Sequence, residues 1–522
     1  MSEEKKEDTE SIEETTEKIV IERVVLKEDE FRAALDKLSS IVGAENVSDD
    51  PLDLICHERD LYTPVSKRFL GAVATPAIIV MPKNTEEVQG VIRVANEYKI
   101  PITPFSFGTN MGGAAVPSIE GSILLDLRRM NRILEINEET MTATIEPAVS
   151  YGRLDYEAKK KGLRTVSSIG GYTGGIIGNF TTANVRPFNA MFGFSDPIVT
   201  MEIVLPTGEI FRTGSQAHPG YEDVNPYVRL AWGPDFAGMF RGSAGAFGVV
   251  TRAVVRLYPA GEVEKRLKFA FPDLDSLLQA MKKSQRNEIG RAVLGIDRNE
   301  MFFVCTEREE RDSMSKEEWQ RTYESFPEWA MLVNLESRKE IVEADEKLLR
   351  KICEGCGGTE LKLSPRYMES LDDFSTHRGR KIMHSLVIPS MICLWTCALT
   401  SNIKTFYEKT LEVLRKLDMR FPLFKDVFNP GRWFLIPFDR GTTYMIGVDV
   451  DFDTLDETQL NKATEFLLSY ISLMTEVKGT IPMTMGPLVD MLLPSYSKLM
   501  KTIKRILDPN DIFSPNRLCM VG

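Results

Sequence analysis

Three separate stretches of this chain contain too much glycine to form the interior of a helix or a strand. Residues 104–117 read PFSFGTNMGGAAVP, residues 168–179 read SIGGYTGGIIGN, and residues 242–251 read GSAGAFGVVT. Glycine reaches positive φ without steric cost and lets a ligand approach main-chain N–H groups closely. Each stretch therefore suits a loop around an anion such as a phosphate, with an ordinary structural turn as the alternative for any single one.

The segments around the first loop alternate between strand and helix patterns. TPAIIVMP (75–82) predicts a strand, and Asn84 begins a helix in which Glu87 completes a capping box. A further strand at 100–103 leads into the loop, where α/β folds place phosphate sites. The spacing matches neither G-x-G-x-x-G nor a P-loop. Three such loops on one ligand fit a dinucleotide better than a single phosphate.

The charge distribution argues against nucleic acid as a partner. The net charge is −12, and residues 1–30 hold 12 acidic and 5 basic side chains, so 5 − 12 = −7 lies in that segment. Phosphate binding needs Lys and Arg concentrated on one face, and no such cluster occurs. We interpret residues 1–27 as a disordered acidic tail with a solubilising role, docking of a partner being the alternative.

The cysteines indicate a reducing compartment. There are seven, an odd number, in a long chain that shows no secretory signal, which predicts a cytoplasmic protein. Cys353 and Cys356 form a C-x-x-C without a second pair at zinc spacing, so we interpret them as plain thiols. Residues 385–403 carry no charge, but Pro389 and several polar residues interrupt them. A buried strand pair is favoured there over a membrane span.

Taken together, seven stretches in order resemble the flavoproteins of the vanillyl-alcohol oxidase and 4-cresol dehydrogenase family. They are VMPKNTEEVQGVIRVANEYKIPI, FGTNMGG, SILLDLRRMNRIL, IEPAVSYGRL, MEIVLPTGEIFRTG, WGPDFAGMF with GSAGAFGVVT, and DPNDIFSPNR. The resemblance implies an α+β fold: a two-subdomain FAD-binding domain of the p-cresol methylhydroxylase (PCMH) type with a second, ferredoxin-like α+β cap domain. The corresponding segments are 28–261 for the FAD-binding domain, 262–478 for the cap, and 479–522 for a C-terminal segment that returns to the first domain.

The same resemblance assigns FAD contacts to the three loops and to the C-terminus. Arg517 would stabilise the reduced flavin, the alternative being a surface arginine. The main chain is expected to contribute most of the contacts. The implied cofactor-binding residues are Ser106, Phe107, Gly108, Thr109, Asn110, Met111, Gly112, Gly113, Gly170, Gly171, Gly174, Gly175, Gly178, Asn179, Gly248, Val249 and Val250.

Departures from the family pattern concern the substrate. Phenol-oxidising members have a tyrosine where this chain has Gly112 and Gly113, and a Tyr-Arg pair where residues 480–485 read TIPMTM. A phenolate would have no evident partner here. The Gly-Asp-Gly-Asn stretch of the hydroxy-acid dehydrogenases is also absent, and the chain has only four histidines. No metal site is predicted, and the histidine-dependent alkylglycerone-phosphate synthase branch is disfavoured.

Two histidines remain as candidates for the chemistry. His377 and His384 lie in the basic stretch DDFSTHRGRKIMH, and either imidazole suits a base acting on a substrate hydroxyl, a solvated basic helix being the alternative. His384 is also near the position of the covalent flavin link of some members, although Met391 aligns equally well. Noncovalent FAD is the favoured expectation.

The sequence thus predicts an FAD-dependent oxidase or dehydrogenase. Its substrate would be a small alcohol, hydroxy acid or aryl-alkyl compound, and its electron acceptor oxygen or a redox protein. The alternatives are a flavin-binding subunit without catalysis and the non-redox synthase. The family resemblance also implies a homodimer.

Overall fold

The computed structural model describes residues 24, 26–58, 74–108, 113–166, 172–182, 197–221, 226–230, 232–376, 390–422, 427–480 and 486–519. Within them, helices and strands are mixed in the way expected of an α+β protein. The predicted fold class is confirmed.

The first part of the chain builds a small sheet with parallel strands. The predicted cap forms as expected at the start of its main helix, since the Asn84 side chain accepts a hydrogen bond from the Glu87 amide at 2.8 Å. The Glu87 carboxylate accepts from Lys83 N rather than from Asn84 N, so the capping box is shifted by one residue. The elements are α1 (Glu28–Val42), β1 (Val47–Ser48), α2 (Pro51–Ile55), β2 (Ile78–Val80), α3 (Thr85–Tyr98), β3 (Ile102–Phe105) and β4 (Ile123–Asp126), with strand order β1-β2-β4-β3.

A second, antiparallel sheet follows. Its β8–β9 hairpin turns at Gly208, which has a φ of 85°, as the Pro-Thr-Gly sequence predicts. The strands are β5 (Ile133–Asn137), β6 (Thr142–Ile145), β7 (Leu163–Arg164), β8 (Ile198–Val204), β9 (Ile210–Arg212), β10 (Val249–Arg256) and β11 (Tyr258–Pro259). The sheet order is β5-β6-β10-β8-β9, and β7 pairs separately with β11. The helices are α4 (Tyr151–Lys159), α5 (Ile176–Thr182) and α6 (Ala237–Phe240).

The middle of the chain forms a seven-stranded antiparallel sheet with an apolar core on each face. Its strands are β12 (Val263–Phe271), β13 (Ala292–Asp297), β14 (Trp329–Ser337), β15 (Thr359–Glu360), β16 (Ser390–Leu399), β17 (Arg432–Phe438) and β18 (Thr443–Phe452), in the order β15-β12-β14-β13-β17-β18-β16. The strand pair predicted within 385–403 is wrong: after one strand, β16, a helix begins at Thr400. Residues 385–389 lie outside the described part.

Helices cover this sheet. They are α7 (Leu274–Arg286), α8 (Arg298–Cys305), α9 (Arg308–Ser313), α10 (Lys316–Glu324), α11 (Lys339–Glu354), α12 (Pro365–Thr376), α13 (Thr400–Lys416) and α14 (Glu457–Glu476). Among the helices of the described residues, none is both long enough and apolar enough to cross a membrane.

The C-terminal segment packs against the first sheet. Helices α15 (Gly486–Leu492) and α16 (Pro494–Leu507) precede it, and α16 ends just before Asp508-Pro509, as predicted. The chain then returns to β3: Ile102 N donates to Ile512 O at 2.6 Å, and Ser514 N donates to Ile102 O at 2.8 Å. This contact places the end of the chain beside the strand that leads into the first glycine loop.

Candidate functional site

The first glycine loop continues directly from β3. Ser106, Phe107 and Gly108 follow that strand, and Gly108 has a φ of 65°. A Cβ at Gly108 would lie 2.8 Å from the ring of Phe105, so both conformation and space require glycine. The loop residues outside the described part are Thr109, Asn110, Met111 and Gly112.

The second loop packs directly against the first. A Cβ at Gly175 would lie 2.6 Å from the ring of Phe107, and one at Gly178 would lie 3.0 Å from Ser106 Oγ. The start of α4 holds the loop, because Tyr151 N donates a hydrogen bond to Gly174 O. Of the other residues predicted in this loop, Asn179 lies within α5. Gly170 and Gly171 are outside the described residues.

The third loop is hydrogen-bonded to the helix that follows the second. Gly242 N donates to Phe180 O at 2.9 Å, and Ala244 N donates to Thr181 O at 2.8 Å. The implied contact residues Gly248, Val249 and Val250 lie further along, where β10 pairs with β8, and both valine side chains are buried. This stretch is therefore part of the protein core rather than an open loop.

Arg517 is buried, which excludes the alternative of a surface arginine. Its guanidinium donates to Val116 O and to Pro117 O, the latter at 3.1 Å. A Cβ on Gly113, whose φ is 75°, would lie 3.1 Å from Arg517 Nη1. The structure thus brings a buried cation to the far end of the first loop.

Comparison with known proteins agrees with this arrangement. Residues 76–214, which include the first two loops, match the family described as the FAD binding domain. The flavoprotein subunit of the hydroxylating 4-cresol dehydrogenase of Pseudomonas putida is 30% identical over 249 residues, 47% of this chain and 46% of the relative. This chain carries an FAD-binding domain of the PCMH type. The predicted resemblance is confirmed at this level.

Other similarities define the extent of the likeness. Glycolate oxidase subunit GlcD of Bacillus subtilis is 30% identical over 255 residues, 47% of this chain and 49% of the relative. The chain spans about half the length of the curated relatives it matches.

Solved structures extend the likeness of the fold beyond the FAD-binding domain. The 4-ethylphenol oxidase of Gulosibacter chungangensis aligns with a TM-score of 0.81 and 21% identity over 96% of this chain and 99% of its own. p-Cresol methylhydroxylase aligns with a TM-score of 0.78 and 20% identity over 95% of this chain and 98% of its own. Alkyldihydroxyacetonephosphate synthase aligns with a TM-score of 0.68 and 17% identity over 96% of this chain and 88% of its own. Both fold domains are therefore shared with these proteins.

The residues present fit the diphosphate of FAD. The three loops contain no Asp or Glu, so an anionic ligand meets no carboxylate within them. Ser106 contributes a hydroxyl and Arg517 a guanidinium, while the glycines expose main-chain groups. The main-chain groups and Ser106 at the junction of the first and second loops would therefore hold the diphosphate.

The two histidine candidates, His377 and His384, lie outside the described residues. Helix α12 ends at Thr376, directly before them. Met391, the equally good match to the attachment position, is buried in β16, and its sulfur accepts a hydrogen bond from Arg432 Nη2 at 3.3 Å.

A buried ionic cluster beside the seven-stranded sheet was not predicted from the sequence. Arg432 of β17 forms ion pairs with Glu300 at 3.1 Å, Asp451 at 3.1 Å and Asp449 at 3.7 Å. All four side chains are buried on the same side of the sheet as the core that contains Phe303. The guanidinium also lies over the Phe303 ring, 5.2 Å from its centroid.

This cluster contains more carboxyl groups than cations, and this excess of buried negative charge favours the protonated form of the acids. Burial, opposed by Arg432, raises the pKa of Glu300 to about 8 and that of Asp449 to about 6. Burial also raises the pKa of the nearby Asp297 to about 7. Glu300, Asp449 and Asp297 therefore keep their protons to a higher pH than ordinary carboxyl groups do.

The alternation in GVDVDF (447–452) was the available sequence signal for this cluster. Asp449 and Asp451 are two positions apart in an apolar strand, so both side chains lie on the same buried face, where they need a cationic partner. The partner is Arg432, which β17 places opposite Asp449 in the sheet register.

Proposed function

We propose that the protein is an FAD-dependent oxidoreductase acting on an alcohol, hydroxy acid or aryl-alkyl substrate. The observation that carries this proposal is the meeting of the first two glycine loops with the buried Arg517 in a chain that matches the FAD binding domain family. When bound, FAD would accept a hydride from a substrate C–H bond. The protein would supply orientation, exclusion of water and charge.

Arg517 would provide the positive charge near the flavin ring. Its guanidinium is buried and donates to two carbonyls, which hold it in a fixed orientation. His377 or His384 would serve as the base that accepts the proton of a substrate hydroxyl. These roles follow from chemistry and from the family resemblance.

The substrate class rests on what the chain lacks. The positions of the phenol-binding tyrosine and of the Tyr-Arg pair hold Gly112, Gly113 and TIPMTM, which offer no cation or phenolic donor to a phenolate. Simple alcohols are therefore favoured over 4-alkylphenols, and the chain also lacks the Gly-Asp-Gly-Asn stretch of the hydroxy-acid dehydrogenases. The names of the relatives, glycolate oxidase and 4-cresol dehydrogenase, cover both kinds of substrate.

Two other functions have specific support. The lost phenol-binding residues favour a flavin-binding subunit without catalysis. The likeness to alkyldihydroxyacetonephosphate synthase favours a non-redox enzyme, although its TM-score of 0.68 is below the 0.81 of 4-ethylphenol oxidase.

We also propose the molecular setting. The cap would extend over 262–478, which agrees with the start of β12 at Val263. The flavin would be noncovalent, the protein a cytoplasmic homodimer of the vanillyl-alcohol oxidase family, and the electron acceptor oxygen or a redox protein.

The test is the absorption spectrum of the purified protein, before and after acid precipitation, followed by anaerobic titration with a substrate panel. We expect a flavin spectrum, flavin in the supernatant, and bleaching by an alcohol or hydroxy acid. Protein that gains no flavin spectrum even with added FAD overturns the proposal. A flavin that dithionite bleaches but no substrate does indicates a subunit without catalysis. Conversion of an acyl ether-lipid precursor without net flavin reduction indicates the synthase.

A further inference from the structure

We propose that Lys504 and Asp508 are positioning residues for the FAD site, resting on the function proposed above. This buried ion pair would set the positions of the third loop and of the turn that carries Arg517. It touches neither the first loop nor Gly113 in the contacts described, so its effect on FAD would pass through the segments it holds.

Lys504 joins three segments through one ammonium group. Its Nζ donates to Ala246 O of the third loop at 3.0 Å, to Phe513 O of the C-terminal turn at 2.6 Å, and to the Asp508 carboxylate. An ammonium has three donors, and these partners use all of them. The side chain is 3% exposed, although it is one of the longest and most soluble types.

Asp508 completes the arrangement from the end of α16. Besides Lys504, its carboxylate accepts Ile512 N at 3.1 Å and Phe513 N at 2.8 Å. A second carboxylate, that of Asp511, lies 3.4 Å from the lysine. Because a buried ammonium is costly without an opposite charge, lysine and aspartate act here as one unit.

The turn held by this pair is conformationally strained. Asp511, Ser514 and Asn516 all have positive φ values, of 48°, 39° and 60°. Asp and Asn tolerate this conformation, whereas at Ser514 it costs about 1 kcal/mol or more and persists because the surroundings impose it. The hydrogen bonds of Lys504 and Asp508 supply that constraint immediately before Arg517.

The same turn touches the first and third loops. A Cβ on Gly245, next to Ala246, would lie 3.0 Å from Ser514 Oγ and 3.1 Å from Pro104. Ile102, two residues before Pro104, exchanges hydrogen bonds with Ile512 and Ser514. A displacement of the turn would therefore reach both loops and the Arg517 guanidinium.

The experiment compares Lys504→Met with Lys501→Met in the full-length protein. Lys501 lies on the same helix and forms a partly exposed ion pair with Asp490 at 3.1 Å, so its loss controls for charge removal from α16. FAD affinity is measured by titration of the apoprotein, and the midpoint potential of bound FAD by dye equilibration. We expect K504M to raise the Kd for FAD at least about tenfold and K501M less than about twofold.

A double-mutant cycle with Arg517→Gln separates positioning from general destabilisation. If Lys504 acts by placing Arg517, K504M shifts the midpoint potential in the same direction as R517Q and adds no further shift in the R517Q background. Should K504M not fold, Asp508→Asn, which keeps the shape of the side chain, is tested in the same cycle.

Two results overturn the inference. One is a lowered Tm with unchanged FAD affinity and potential, which would leave the pair a purely structural role. The other is a shift in midpoint potential caused by K504M that is equally large in the wild-type and R517Q backgrounds. Wild-type protein that binds no FAD would overturn the proposed function as well, which distinguishes the two failures.

Discussion

Phe107 and Gly175 fix the contact between the first and second glycine loops: a Cβ on Gly175 would lie 2.6 Å from Cδ2 of the phenylalanine ring. Pro147 O lies 3.5 Å from the same Cβ, in ordinary van der Waals contact. The two loops can therefore approach this closely only with glycine at position 175.

We expect Gly175→Ala to weaken FAD binding. The added methyl group separates the loops, and overpacking of this kind costs about 1–3 kcal/mol, equivalent to roughly a five- to 150-fold higher Kd. Titration of the apoprotein with FAD measures the effect. Gly238→Ala is the matched control, because a Cβ there meets nothing within 4 Å. Adding Phe107→Leu to G175A should recover part of the affinity; unchanged affinity in G175A itself would contradict the prediction.

Arg517→Lys should impair the site despite keeping the charge. The guanidinium bridges two successive carbonyls, Val116 O and Pro117 O, and a lysine ammonium is a single point donor with a different reach. We expect a loss of about 1–3 kcal/mol in the free energy of unfolding, since at least one buried carbonyl loses its charged partner, and weaker FAD binding because the cation is displaced. FAD titration checks this result. Wild-type affinity in R517K would show that charge alone matters here.

Arg432→Met should strongly destabilise the part of the protein built around the seven-stranded sheet. The substitution leaves Glu300, Asp449 and Asp451 buried without their cation, and breaking a buried ion pair costs about 3–5 kcal/mol. Arg440→Met removes an exposed pair with Glu288 from the same hairpin and should cost at most about 1 kcal/mol. Urea unfolding at pH 7 compares the two variants. Similar losses in both would mean that the cluster contributes little.

The cluster also predicts a pH dependence of stability. Burial raises the pKa of Glu300 to about 8, so between its ordinary value and pH 8 the unfolded chain releases a proton that the folded protein keeps. The free energy of unfolding should therefore fall as pH rises through this range, by at most about 1.4 kcal/mol per pH unit for one group.

Glu300→Gln should reduce this slope up to pH 8. Asp449→Asn should reduce it mainly below pH 6, because the pKa of Asp449 is raised only to about 6. Urea unfolding at several pH values between 5 and 8 measures the slopes. Identical slopes in E300Q and the wild type would show that Glu300 is not the titrating group.

The elements of the FAD-binding domain were largely predictable, because their signals are local. Asn84 starts a helix through its own side chain, and Gly208 turns a hairpin through its φ. The strand pair predicted for 385–403 failed because an uncharged segment contains no local mark for the boundary between β16 and α13. There, packing on both sides of the strand decides where it ends.

Residue type and spacing alone predicted three glycine-rich loops suited to a dinucleotide and an arginine that follows the last helix. Three further features became visible in the folded chain: Arg517 is buried beside Gly113, Lys504 joins the third loop to the C-terminal turn, and Arg432 contacts three acids. Each of these contacts joins residues far apart in the chain. The partners of a buried charge are the residues that packing brings close to it, and local sequence does not indicate which residues those are.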